Sequence, residues 1–136
     1  MPDIIAIETP GRSATDIGGD VNALIAASGK RSGLAHLFLQ HTSASLIIQE
    51  NADPDVMRDL IDWLARLAPE DGPYRHTAEG ADDMPAHLKA AVTATSLLIP
   101  FDNGRLSLGT WQGVYLLEHR RAAHQRRIVV MLIDAT

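Results

Sequence analysis

The sequence predicts a single α+β domain with a largely antiparallel sheet, and three observations lead there. Short apolar runs of strand type recur along the chain and fill its last third. Helical patterns are interspersed among them. Most connections between consecutive strands are too short to hold a crossover helix, which disfavours a parallel sheet. A length of 136 residues gives one domain room for its own core, and a hydrophobic fraction of 46% fits a globular chain.

The elements follow in order. Ile4 to Glu8 is β-branched and apolar and reads as a first strand, which Thr9-Pro10-Gly11 ends. Ala14 to Ile17 makes a short second strand before Gly18-Gly19. Asp20 to Ser28 has helical spacing, with Val21, Leu24 and Ile25 on one face and Gly29 as a stop. Gly33 to Gln40 is a strong strand. Leu34, His36 and Phe38 alternate with Ala35, Leu37 and Leu39, so both faces are apolar and the strand is expected to be central and covered on both sides. His41-Thr42-Ser43 interrupts it, and Ala44 to Gln49 continues as strand.

Asp53-Pro54 opens the clearest helix: Asp53 suits the N-cap, and Pro54 suits the first helical position, where its missing N–H costs nothing. Val56, Leu60, Trp63, Leu64 and Leu67 form its apolar stripe, and Pro69 marks its end. Residues 69–83 are polar and turn-rich, and a structureless loop of that length is uncommon unless it serves a function. Pro85 to Ala94 reads as a short helix, with Asp83 or Met84 near its cap. The remaining strands are Ser96–Ile99, Leu106–Leu108, Gly113–His119 and Ile128–Ile133. Asp102-Asn103-Gly104 is a hairpin turn, and residues 122–126 form the last loop.

Composition restricts the function. With no cysteine, thiol chemistry and zinc ribbons are removed, and His, Asp and Glu are left as metal ligands. A formal net charge of -5 argues against a nucleic-acid footprint, which needs a dense basic face. No apolar run approaches the ~20 residues of a membrane span, and MPDIIAIETPG has no signal-peptide pattern, so the expected compartment is the cytoplasm. Arg120, Arg121, Arg126 and Arg127 form the one basic cluster, which either holds a phosphate or is a solvated turn.

The chemistry concentrates in HTSASLIIQENAD, residues 41–53, and in the histidines beyond it. His41, His76 and His87 each lie at an element end or in the polar loop. Either they converge on an ion, leaving positions for water or a phosphate oxygen, or each bonds locally. Should His87 bind a metal, Asp82 or Asp83 is placed to orient its imidazole. The hydroxyls of Thr42 and Ser43 either donate to phosphate or satisfy turn backbone. His36 reads as a core or interface histidine and His124 as solvent-exposed. Alternation sends Glu118 and His119 to opposite faces, while Gln112 and Glu118 share one with Val114 and Leu116. No glycine-rich phosphate cradle is present.

Four stretches, HTSASLIIQENADPDVMRDL, YRHTAEGADDMPAHLKA, NGRLSLGTWQGVYLLEHR and RRIVVMLI, together resemble the secondary thiamine-phosphate synthase family. The resemblance implies a small α+β homotrimer with pockets near subunit contacts. It further implies a transferase of thiamine biosynthesis that joins a pyrimidine-methyl diphosphate to a thiazole phosphate and releases diphosphate. Its catalytic residues would be His41, His87 and Glu118. Thr42, Ser43, Gln112 and Arg127 would bind substrate, and His41, His76 and His87 would hold a divalent metal. Mg²⁺ suits diphosphate but prefers oxygen ligands, whereas histidines suit Zn²⁺ or another transition metal. Two alternatives therefore stand beside the synthase: a metal-dependent enzyme acting on another small phosphorylated substrate, and a non-catalytic trimeric ligand-binding protein.

Overall fold

Eight strands build two antiparallel sheets that face each other across one core, with period-two alternation of burial clearest in the first, third and fifth. A computed structural model describes residues 2–135. Among these, the order is β1 (Asp3–Thr9), β2 (Ser13–Asp16), α1 (Gly18–Ser28), β3 (Gly33–Leu39), β4 (Ala44–Glu50), α2 (Pro54–Leu67), α3 (Asp83–Ala91), β5 (Ser96–Asp102), β6 (Arg105–Leu106), β7 (Gln112–Glu118) and β8 (His124–Asp134). The larger sheet runs β1-β8-β3-β5-β6 and the smaller β2-β7-β4, every pair antiparallel. The α+β class read from the sequence is the observed one.

Ile5 and Ile7 of β1, Ala35, Leu37 and Leu39 of β3, and Ile128 and Val130 of β8 form the inner face of the larger sheet. Leu46 of β4 and Val114 and Leu116 of β7 meet them, and Val21 and Ile25 of α1 complete the core. On the other side of β7, Leu117 is buried together with Leu64 and Ala68 of the α2 segment and Ala86 of α3. Helices α2 and α3 therefore cover the back of the smaller sheet.

Local rules explain the clearest elements. Asp53 caps α2 by accepting from the Asp55 N–H at 2.9 Å, and Pro54 opens the helix. Gly29 ends α1 at φ 72° in the left-handed region. Asn103 (φ 51°) and Gly104 (φ 76°) form a two-residue hairpin between β5 and β6, whose flanking Asp102 and Arg105 pair.

Several expectations need correction. β4 does not continue β3 but joins the other sheet, so residues 40–43 are a crossover between layers. β3 lies between β8 and β5, yet it is covered on one face only. Leu34 and Phe38 are exposed, as are Ile4, Leu98, Met131 and Ile133 around them, because this outer face has no layer packed on it in the single chain. Helix α1 starts at Gly18, not Asp20. Helix α3 starts at Asp83 and ends at Ala91, and the Asp82 side chain makes no capping bond to it, because its carboxylate is bound to Arg120 and the Arg121 N–H. β8 already begins at His124, which removes half of the loop expected at 122–126. In the α2 stripe Leu64 is buried, but Trp63 and Leu67 are exposed. No helix of the described residues is long and apolar enough to cross a membrane.

One end of the core is closed by charge. Glu118 and Arg126, both 1% exposed, form a two-pronged pair: Nε donates to Oε1 at 2.7 Å and a terminal nitrogen to Oε2 at 2.5 Å. Thr9 donates to Oε1 at 2.7 Å and the Arg120 N–H to Oε2 at 3.1 Å. Burial alone would raise the Glu118 carboxyl's pKa, but these bonds and the Arg126 charge hold it below the ordinary range. Replacing Glu118 by Leu should cost about 3–5 kcal/mol in denaturant unfolding because Arg126 is left buried and unpaired, and adding Arg126→Met should restore most of the loss.

His119 points to the other side of β7, where its Nε2 lies 2.8 Å from the Ser45 hydroxyl. Burial, reinforced by the nearby Lys89 charge, brings its pKa down from 6.5 to about 4. Between these values the unfolded chain binds a proton that the folded chain refuses, so stability falls as pH drops from 6.5 toward 4. His119→Gln should flatten the pH dependence of the unfolding free energy in this window, by on the order of 3 kcal/mol across it.

Candidate metal centre

Helix periodicity places Asp83 and His87 four residues apart on one face of the first turns of α3. The polar loop before that helix folds back so that His76 reaches the same point. His76 Nε2 lies 2.6 Å and His87 Nε2 3.2 Å from the same oxygen, Asp83 Oδ2. The three ligand atoms all lie within 4.8 Å of one another. Asp83 is buried, and its other oxygen takes an ion pair from Arg120 at 2.8 Å. Burial would raise its pKa, but the hydrogen bond from His76, the His87 charge and Arg120 outweigh it, so the carboxylate stays ionised well into acid.

The hydrogen-bond partners set the protons. His87 Nδ1 lies 2.9 Å from the Thr42 carbonyl, which only accepts, so Nδ1 carries the hydrogen. His87 Nε2 faces the same carboxylate oxygen as His76 Nε2, so Asp83 Oδ2 is shared by two imidazoles. His41 is the reverse case. Its Nδ1 accepts from the Ser43 N–H at 3.1 Å and lies 3.0 Å from the Ser43 hydroxyl. That hydroxyl oxygen accepts from Arg126 at 3.0 Å, which frees its own hydrogen for His41. Burial and the Arg126 charge lower the His41 pKa, so the neutral ring is favoured and presents Nε2–H. His41 is thus fixed as a hydrogen-bond donor, not as a lone-pair ligand.

A cleft of about 340 Å³ is lined by His41, His76, Glu79, Asp83, His87, Arg120 and His124. The geometry brings His41, His76 and His87 to one hollow, with Asp83 in direct reach of the two ring nitrogens and His41 outside that cluster. Thr42 contributes its backbone carbonyl. Ser43 is buried beneath His41. Glu118 does not line the cleft, because its carboxylate is consumed by Arg126. Gln112 is exposed at the start of β7, where its side chain accepts from the Gly109 N–H, and Arg127 is exposed on β8; neither lines the cleft.

Of the basic cluster, Arg120 is bound to Asp82 and Asp83, Arg121 to Glu70 and Arg126 to Glu118, so these three charges are already matched. Sequence reasoning missed His124, which lines the cleft with its Nδ1 2.7 Å from the Ala122 carbonyl. The signal available was its place at the start of the strand that returns after Glu118. Arg120 was likewise read only as part of a charge cluster.

The Ser43 backbone N–H should suffice to hold the His41 tautomer. In nitrogen NMR the ring should show an unprotonated Nδ1 and a protonated Nε2, and Ser43→Ala, which keeps that N–H, should show the same. A protonated Nδ1 in the wild-type protein would remove the backbone from this role.

Comparison with known proteins overturns the resemblance drawn from the motifs. The profile of the UPF0047 protein YjbQ-like family matches residues 3–135. A UPF0047 protein of Synechocystis sp. is 55% identical over 129 residues, covering 94% of this chain and 88% of that protein. The YjbQ protein of Escherichia coli O157:H7 is 51% identical over 100 residues, 74% of this chain and 72% of its own. A solved structure from Clostridium acetobutylicum, described as an uncharacterized conserved protein of the yjbq/upf0047 family, superposes with a TM-score of 0.89 at 37% identity, covering 96% of this chain and 99% of that one. None of these relatives bears a thiamine-phosphate synthase name, so the synthase family, the transferase reaction and the place in thiamine biosynthesis are withdrawn. The chain belongs to the YjbQ-like UPF0047 family.

Proposed function

We propose that the cleft is a metal-dependent site for a small phosphorylated substrate, with His76, Asp83 and His87 holding one divalent cation. The observation that carries this reading is the pair of imidazole Nε2 atoms facing one oxygen of a buried carboxylate, with the far nitrogen of His87 anchored on a backbone carbonyl. Two nitrogens and one carboxylate suit Zn²⁺ or another transition metal and do not suit Mg²⁺, which prefers an all-oxygen shell.

A bound cation would supply Lewis acidity toward a phosphoryl oxygen and acidify a water molecule. The chain's own residues do the rest. The Thr42 carbonyl keeps His87 Nε2 aimed at the cluster. Arg120 holds Asp83 ionised and turned inward. His41 offers Nε2–H, a neutral donor suited to an anionic oxygen. A non-catalytic ligand-binding role is the second reading. It is favoured by the loss of Glu118 from the cleft, which leaves Glu79 as the only lining carboxylate besides Asp83 among the described residues.

The exposed apolar face of β3, β5 and β8 supports association with further copies of this chain as a homotrimer, which light scattering tests. The cytoplasm is the compartment this reading assigns, and cell fractionation tests it.

Stripped and reloaded protein should take up about one equivalent of Zn²⁺ per chain by elemental analysis. His87→Ala and Asp83→Ala should weaken uptake by about 100-fold or more while circular dichroism shows the fold retained. Uptake that survives His76→Ala/His87→Ala would sink the site. With metal restored, turnover of a phosphate-ester panel separates an enzyme from a binding protein.

A further inference from the structure

The face of α3 that carries Asp83 and His87 continues one turn beyond them. Ala90 and Ala91 lie three and four residues after His87, so they stand on the same side of the helix, about 5 Å further along its axis. Over them opens a second hollow of about 260 Å³, lined by His41, Thr42, His87, Ala90, Ala91 and Thr95. His41 and His87 line this hollow and the metal cleft alike, so the two adjoin at these rings. Together with the cleft of about 340 Å³ it offers the space of an ordinary small-molecule site.

The two hollows differ in charge. Besides its histidines the cleft has Glu79, Asp83 and Arg120. Among the described residues, no carboxylate, ammonium or guanidinium lines the second hollow. Its polar groups besides the imidazoles come from Thr42 and Thr95, both exposed. Their backbones are fixed, because the Thr42 carbonyl accepts from His87 and the Thr95 carbonyl from the Leu39 N–H at 2.9 Å. A charged group placed here would give up water without gaining a counter-charge. A neutral hydroxylated group can exchange its water hydrogen bonds for threonine ones and rest its carbons on the alanine methyls.

We propose that this second hollow receives the uncharged part of the substrate, and that the substrate class is a phosphate monoester of a small, neutral, hydroxylated alcohol. The inference rests on the metal-site reading above: the phosphoryl group lies at the cation, and the alcohol part extends past His41 and His87 onto Ala90 and Ala91.

The test is calorimetric titration of the full zinc-loaded chain with inorganic phosphate, glycerol 3-phosphate, 3-phosphoglycerate and phosphocholine. Glycerol 3-phosphate should bind about 10-fold tighter than inorganic phosphate, and the two esters with a second charge should bind no tighter than inorganic phosphate. Ala91→Leu, an exposed position where leucine keeps good helix propensity, should abolish the preference for glycerol 3-phosphate and leave zinc uptake and inorganic phosphate affinity unchanged. In the wild-type protein glycerol 3-phosphate, but not inorganic phosphate, should shift the amide NMR signals of Ala91 and Thr95, which keeps the test decisive should the variant fail to fold. Zinc uptake and phosphate binding with equal affinity for phosphate and ester, a preference that survives Ala91→Leu, or tighter binding of either doubly charged ester would overturn the second hollow alone. Failure of zinc uptake, or of all phosphate binding, would overturn the metal-site reading and this inference together.

Discussion

The buried pair of Glu118 and Arg126 is the constraint on which the rest of the arrangement depends. It sits where the two sheets converge, at the end of β7 and near the start of β8, and both charges are out of water. Such a pair is costly to assemble and more costly to break, so its geometry is rigid. The terminal nitrogen of Arg126 that binds Glu118 also donates to the Ser43 hydroxyl, which holds His41. Its neighbour in sequence, Thr42, offers the carbonyl that holds His87. A pair that does not itself line the cleft thereby fixes His41 and the turn beneath His87.

The histidines consequently have different roles despite identical chemistry. A ring whose Nδ1–H is held by a backbone carbonyl has its Nε2 turned to Asp83, as in His87. A ring whose Nδ1 meets a backbone N–H keeps its Nε2 hydrogen, as in His41. Backbone polarity at residues 42 and 43 therefore sets the two rings differently. His119, two strand positions from the Leu117 that it follows in facing α2 and α3, is driven neutral by burial and serves packing.

The membership of the YjbQ-like UPF0047 family rests on identity across nearly the whole chain, and the function rests on the site. The withdrawn synthase reading attached a reaction to motifs that do contain the cleft residues. Those motifs identify where chemistry gathers and do not by themselves identify what is transformed. Asp83 in direct contact with two imidazoles favours transition-metal chemistry over a magnesium diphosphate site.

Local rules made much of the fold legible in the sequence. Alternation gave the strands, Asp53-Pro54 gave the start of α2, Gly29 ended α1, and Asn103-Gly104 supplied the tight turn, because each depends on a few neighbouring residues. The gathering of His41, His76 and His87 was one of two open readings, since no spacing rule connects residues that far apart. Only the tertiary structure decided that β4 leaves the sheet of β3, that one face of β3 is bare, and that Glu118 is spent on Arg126. Only it showed Asp83 facing both imidazoles and His124 at the cleft. These depend on which segments meet across the core, and the partners of a buried charge lie elsewhere in the chain at distances that no local pattern encodes.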